Sequence, residues 1–379
     1  MKPERILVRS VNWLGDAIMT LPALRALRQH FPESKIILLT HQKLAGLWEG
    51  QHYVDDLLTF GKEDNFFTTS KIARKAQADL AILFPNSPRT AMEAWFAGIP
   101  KRMAYRGKFP RSLFLNAIIP NRKGVLVMKK RTESEIKKIV ALSSSETRFS
   151  EDLTNYNPRS HHIFHYLDLI APLGIDATEI EPKLDIDLRK REEVCRKFAI
   201  PSDLACFGIN PGAEYGPAKR WPVENFVETI DSISATRNVG WILFGGSADK
   251  TLTQQIAEES IKRNPKLKIY NVAGRTTIRE LSLLSSRCQC FITNDTGPMH
   301  VAAASGTTVV VPFLSTSPEL TGPGAPCNTK HLFIKADTPC APCFLRNCPI
   351  DFRCCKQVTP KKLIQKMESA GVLSSFRSS

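Results

Sequence analysis

One rhythm constrains this chain more than any other feature: short apolar, β-branched runs alternate with amphipathic stretches from residue 5 to about residue 120, and the pattern restarts at Leu204. In the first half, ILVRSV, KIILLT, VDDLLTF and DLAILF have the length and composition of strands, while AIMTLPALRALRQHF and FTTSKIARKAQ set apolar residues at helical spacing. In the second half, LACFGIN, VGWILFGG, LKIYNVAG, CQCFITN and TTVVVPF read as strands, and helical stretches follow the first four. Strand–helix alternation joins parallel strands through crossover helices, which then cover both faces of the sheet. The expected fold class is α/β, with two Rossmann-like domains whose parallel sheets face each other across a cleft. A length of 379 residues also exceeds the size at which one core keeps growing. The domains are expected at 1–185 and 186–379, with EPKLDIDL as the linker, and the polar, serine-rich residues 121–160 as an insertion in the first.

Composition narrows the partners. Lys and Arg total 52 against 37 acids, a net +15, which suits an anionic partner such as nucleic acid, an acidic glycolipid or a membrane surface. RNA-recognition aromatics and a helix-turn-helix signature are absent, so nucleic acid is not expected. MKPERILVRS lacks the apolar core and cleavage site of a signal peptide, and no apolar run reaches the length of a spanning helix, so an intracellular protein is expected. Cys195, Cys206, Cys288 and Cys290 sit in apolar segments, as reduced core thiols do.

In open α/β sheets, ligands bind beyond the carboxyl ends of the strands. Four such ends in the second half carry small or polar residues. INPGAEYGPAKRWP offers Asn210, Gly212 and Ala213 for close backbone approach, with Lys219 following; FGGSADK offers Gly245 and Gly246; VAGRTT offers Gly274. The fourth, CFITNDTGPMH, places Asp295, Thr296 and Gly297 at the opening of a helix with Pro298 in its first turn and His300 one turn in. First-turn amides lack internal partners and carry the positive end of the helix dipole, so this turn reads either as a phosphate cradle or as an ordinary Asp or Thr cap. Together with Lys219, the four ends point to a nucleotide diphosphate. Neither G-x-G-x-x-G nor the P-loop pattern occurs, which disfavours dinucleotide oxidoreductases and P-loop NTPases. Asp185 and Asp187 form a D-x-D, read as structural because they alternate with apolar residues. In the first half, Gly15 gives a turn after the first strand and Asp16 starts a helix, either as its cap or as a general base.

The segments VNWLGDAIMTLPALRAL, NPGAEYGPAKRWPVENF, LFGGSADK, NDTGPMHVAAASG and CAPCFLRNCPIDFRCCKQVTP, in this order, resemble the lipopolysaccharide heptosyltransferases, inverting glycosyltransferases of family 9, and most closely the type II enzymes. The resemblance implies a GT-B fold, an ADP-heptose donor held by the C-terminal domain, and an inner-core lipid A acceptor held by the N-terminal one. It implies a peripheral location on the cytoplasmic face of the inner membrane. Asp16 matches the family's catalytic base, Lys219 the lysine that meets donor phosphate, and Asp295, Thr296, Gly297 and His300 the donor-binding turn. Phe313 is followed by Leu314, Ser315 and Thr316, a departure from the family pattern near the donor's far end. No metal is required, because Lys219 and the helix amides supply positive charge. Another family 9 or GT-B nucleotide-sugar enzyme remains an alternative, as does a basic non-catalytic membrane- or nucleic-acid-binding protein.

Two segments lie outside this core reading. Between Lys101 and Arg131 there are ten basic residues and no acid, with apolar residues interleaved, which suits an anionic lipid surface or a phosphorylated acceptor; Arg106, Lys108 and Arg111 are the candidate contacts. Cys340, Cys343, Cys348 and Cys354 follow C-x2-C-x4-C-x5-C within the cysteine-rich residues 327–355, with Cys355 adjacent and Cys327 upstream. They form a candidate structural zinc or iron–sulfur site, or simply reduced thiols in a loop.

Overall fold

The computed structural model describes residues 2–126, 128–142, 156–326 and 328–374. The chain divides into two compact units: Met1–Val125 with His162–Asp185, and Leu126–His161 with Ile186–Ser379. The first contains a six-stranded sheet built from β1 (Arg5–Arg9), β2 (Lys35–His41), β3 (Asp56–Phe60), β4 (Leu80–Leu83), β5 (Lys101–Tyr105) and β6 (Ala117–Ile119). Its order is β3-β2-β1-β4-β5-β6, and every pairing is parallel. The second contains β7 (Cys206–Asn210), β8 (Gly240–Leu243), β9 (Lys268–Asn271), β10 (Cys290–Thr293), β11 (Thr308–Phe313) and β12 (Leu332–Lys335), in the order β12-β11-β10-β7-β8-β9, again all parallel.

Each unit is thus a Rossmann-like domain, and together they are the two domains of a GT-B fold. Both sheets reverse their winding at one point, between β1 and β4 in the first and between β7 and β10 in the second. The helices leave opposite faces of the sheet on either side of that point, opening a crevice beyond the strand ends. The loops after β1, β7 and β10 therefore occupy the two switch points.

Of residues 121–160, read from sequence as an insertion in the first domain, residues 126, 128–142 and 156–160 group with the second unit, while 121–125 stay with the first. The reason is packing: Ile136, on the helix Glu133–Leu142, is buried with Cys340 and Leu345, and the Arg131 N–H donates to the Cys343 carbonyl at 3.1 Å. Residues 127 and 143–155 of that expected insertion lie outside the described residues. Asp187 is the N-cap of the helix Leu188–Lys197, accepting from the Arg189 and Lys190 amides, while Asp185 pairs with His52 at 2.6 Å. The D-x-D is structural.

The second sheet's core depends on one close approach. Gly208 in the middle of β7 faces the fully buried ring of Phe291 on β10, and a Cβ there would lie 2.4 Å from the ring's Cδ2. Glycine is the residue that lets these two switch-point strands pack a phenylalanine across β7. Gly208→Val should therefore cost about 3 kcal/mol of stability through overpacking. Chemical denaturation of the two proteins, at equal m-value, measures it.

Candidate active site

In the first domain, Asp16 lies in the first turn of the helix Leu14–Met19, which follows β1. Trp13 is the N-cap, so Asp16 is not the cap, and Gly15 is inside the helix instead of forming the turn before it. A second helix, Leu21–His30, starts after Thr20 with Pro22 in its first turn; one helix was expected across this break. The proline explains it, since it is tolerated at a helix start and not inside one. The Asp16 carboxylate is about one-third exposed, and His162 Nε2 lies 4.0 Å from its Oδ1.

His162 belongs to the helix Ile163–Ile170 as its N-cap, and its Nε2 is 3.2 Å from the Tyr166 hydroxyl. His165 stacks on both His162 and Tyr105, and Arg122 pairs with Asp168 at 2.7 Å. Burial pushes the His162 pKa down, with Asp16 acting in the opposite direction and Arg122 in the same one. Burial, helped by His162, Arg122 and Arg111, lowers His165 to about 3. The aspartate thus has the neutral His162 imidazole beside it, and its charge adds to burial in holding the Tyr166 hydroxyl protonated. Sequence reading missed His162, His165 and Arg122. The HHIFHY run was legible only as helical spacing, and nothing in it indicated which strand end it would reach.

Arg106 and Lys108 are exposed, following β5. Arg111 corrects the expectation of a third exposed cation. It is fully buried, donating to the carbonyls of Ser87 and Tyr105, and burial lowers its pKa to about 10. Gly107 makes room for it, since a Cβ there would lie 2.1 Å from Arg111 Cδ. The guanidinium ties the loop after β5 to the start of the helix Pro88–Phe96.

In the second domain, the loops after β7 and β10 meet. Lys219 Nζ donates to Asp295 Oδ2 at 2.6 Å and to its carbonyl at 3.3 Å, and Thr316 Oγ1 donates to the same carboxylate oxygen at 2.5 Å. Burial alone would raise the Asp295 carboxyl, but Lys219, Thr316 and nearby His300 outweigh it, and its pKa falls below the usual aspartate value. Asn294 clamps the lysine loop at both ends, its Nδ2 donating to the Pro211 carbonyl at 2.7 Å and its Oδ1 accepting from the Trp221 N–H at 3.0 Å. The helix Gly297–Ala304 starts immediately after this pair, with Thr296 as N-cap. Thr296 makes no side-chain capping bond, and the Asp295 carboxylate is committed to Lys219 and Thr316. Neither candidate cap residue caps, so the ordinary reading of this turn fails. What remains is a helix start with positive dipole beside an ammonium group.

Of the other glycine-bearing strand ends, Gly274 after β9 faces Lys250, a Cβ there lying 2.3 Å from its Cε, while two converge on Asp249. A Cβ on Gly212 would lie 2.5 Å from its carboxylate and one on Gly245 would lie 2.7 Å from its Cβ, while the Gly246 N–H donates to Asp249 Oδ2 at 2.9 Å. Asn210 and Ala213 are buried, and the Asn210 amide donates within its own loop to Gly212 O at 3.3 Å. Gly212 and Gly245 admit the chain's own carboxylate, a partner that sequence could not name.

Among the described residues, no group of three or more His, Cys, Asp or Glu side chains is placed to hold a metal ion. Cys340 and Cys354 are buried, Cys343 and Cys348 partly so, and all four carry free thiols. Burial raises the Cys340 and Cys343 thiols. Cys327 lies outside the described residues. The core cysteines Cys195, Cys206, Cys288 and Cys290 are likewise buried free thiols.

With this geometry in place, comparison defines the class. Residues 145–352 match the family model for glycosyltransferase family 9 (heptosyltransferase). The chain belongs to that family and is a transferase. Over 368 residues, 96% of this chain and 98% of the other, it is 25% identical to lipooligosaccharide heptosyltransferase 2 of Campylobacter jejuni. Its fold matches the solved structure of ADP-heptose LPS heptosyltransferase II from Escherichia coli, with a TM-score of 0.68 at 24% identity, covering 98% of this chain and 99% of that one. It also matches a family 9 glycosyltransferase from Veillonella parvula, with a TM-score of 0.74 at 21% identity and 98% coverage of both chains.

The imidazole cluster has a consequence for stability. His165 stays neutral in the folded protein down to about pH 3, whereas it titrates near 6.5 when unfolded. Below that value the unfolded chain binds more protons, so stability falls as pH drops from 6.5. His165→Phe, which keeps the stack on Tyr105, should flatten this loss between pH 6.5 and about 4. Urea midpoints measured across that range check it.

Proposed function

We propose that this glycosyltransferase moves a heptose from ADP-heptose to the inner core of lipopolysaccharide, on an acceptor of the heptosyl-Kdo-lipid A type, with inversion at the anomeric carbon. The observation that carries the reading is the Lys219–Asp295–Thr316 group at a sheet switch point, beside a helix start whose cap residue does not cap. The names of similar proteins, lipooligosaccharide heptosyltransferase 2 and ADP-heptose LPS heptosyltransferase II, support the same donor and acceptor class.

Asp16 takes the proton of an acceptor hydroxyl as its oxygen bonds to the anomeric carbon. The bond from that carbon to the β-phosphate oxygen breaks, and its electron pair leaves with ADP. Lys219 and the first-turn amides of Gly297–Ala304 meet the developing charge. Asp295 holds the ammonium in place, with His300 behind it. Asn210, Gly212, Ala213, Gly245 and Gly246 frame the rest of the donor site. Arg106 and Lys108 face the acidic acceptor. The acceptor is met at the cytoplasmic face of the inner membrane, where anionic lipid attracts the basic chain.

Incubating the protein with ADP-heptose and a core acceptor should add one heptose mass to the acceptor, and ADP-heptose should raise the melting temperature where UDP-sugars and RNA do not. Asp16→Asn should keep ADP affinity and lose transfer by about 10²–10⁴-fold, the usual weight of a general base. Near-normal turnover in that variant would remove Asp16 from the chemistry.

A further inference from the structure

The cysteine-rich segment is unexplained by the transfer chemistry, yet it runs along the lysine loop and contacts it repeatedly. The Tyr215 hydroxyl donates to Phe344 O at 2.8 Å, the Ala218 N–H donates to Arg346 O at 3.0 Å, Cys355 Sγ lies 3.8 Å from Arg220 O, and Trp221 Nε1 donates to Val358 O at 2.6 Å. Gly216 sits so close that a Cβ would lie 2.6 Å from Arg346 O. The same segment grips the other side of the site: the N–H groups of Cys343 and Phe344 both donate to the Ser315 carbonyl, next to the Thr316 that bonds Asp295. Residues 343–358 therefore form a strap over both loops that build the Lys219–Asp295 pair.

One side chain of the strap has chemistry of its own. Arg346 is exposed, makes no ion pair among the described residues, and lies over the Tyr215 ring with its Cζ 5.1 Å from the centroid. Lys219 Nζ is also 5.1 Å from the centroid of that ring. Two cations sharing one aromatic ring repel each other, and Asp295 neutralises only one of them. A phosphate anion bound there relieves the remaining positive charge, and a planar guanidinium suits phosphate oxygens.

We propose that Arg346, carried by the cysteine-rich strap, is a second cation for the diphosphate of a nucleoside diphosphate donor, sharing the Tyr215 ring with Lys219. The inference rests on the reading that Lys219 meets donor phosphate. Calorimetric binding of ADP and of adenosine to the full chain separates the two. Arg346→Ala should weaken ADP about ten-fold, the scale of one charge-assisted hydrogen bond, and flatten its salt dependence, while adenosine binding stays unchanged. Arg346→Lys should recover part of the loss, and the donor KM of Arg346→Ala should rise. Unchanged ADP affinity in Arg346→Ala, or equal loss of ADP and adenosine, would overturn the assignment. If Lys219→Ala also leaves ADP affinity untouched, the donor-site reading falls as well; if Lys219→Ala weakens ADP and Arg346→Ala does not, only the role of Arg346 falls.

Discussion

The ion pair between Lys219 and Asp295 organises the second domain's site. Its two residues come from loops after β7 and β10, the neighbouring strands where the sheet reverses its winding. Both side chains are largely withdrawn from water, so neither charge is tolerable alone. Removing one partner of such a pair costs about 3–5 kcal/mol, because it strands the other. The surrounding bonds follow from this constraint. Thr316 takes up a further lone pair of the carboxylate, and Asn294 fixes both ends of the lysine loop. Since the Asp295 carboxylate faces the lysine, it does not turn back to cap the following helix, and a structural pair becomes compatible with anion binding.

The first domain meets the same topological position with different chemistry. The loop after β1 there presents a carboxylate, and its neighbours are imidazoles and a tyrosine kept uncharged by burial. A carboxylate about one-third exposed beside an uncharged imidazole suits proton transfer, whereas the paired, desolvated carboxylate of Asp295 suits holding a cation. Two aspartates after switch-point strands thus have different surroundings, set by what packs against them.

The fold was legible because buried parallel strands read as continuous apolar runs, as in CFGIN, GWIL and CFIT. The strands that escaped notice explain themselves: β5 opens with Lys101 and Arg102, β6 has three residues, and β12 lies among loops. Asp16, Lys219 and Asp295 stood out as site candidates because they follow strand ends, where open α/β sheets bind their ligands. Their partners were not. Thr316, His162 and Asp249 arrive from elsewhere in the chain, and only tertiary structure brings them in. The basic run misled at Arg111, since a count of charges does not distinguish a solvated cation from one that spends its donors on buried carbonyls. The cysteine spacing suggested a ligand set or plain thiols, and gave no sign that the segment also bonds to both site loops.

The central claim is that the Lys219–Asp295 pair and the helix start beside it receive the donor's diphosphate. A crystal structure of the protein with ADP tests this most directly. The account predicts phosphate oxygens within hydrogen-bonding distance of Lys219 Nζ and of the first amides of Gly297–Ala304, with the Asp295 pair intact. A diphosphate bound away from these groups, with Lys219 still facing only Asp295, would contradict it.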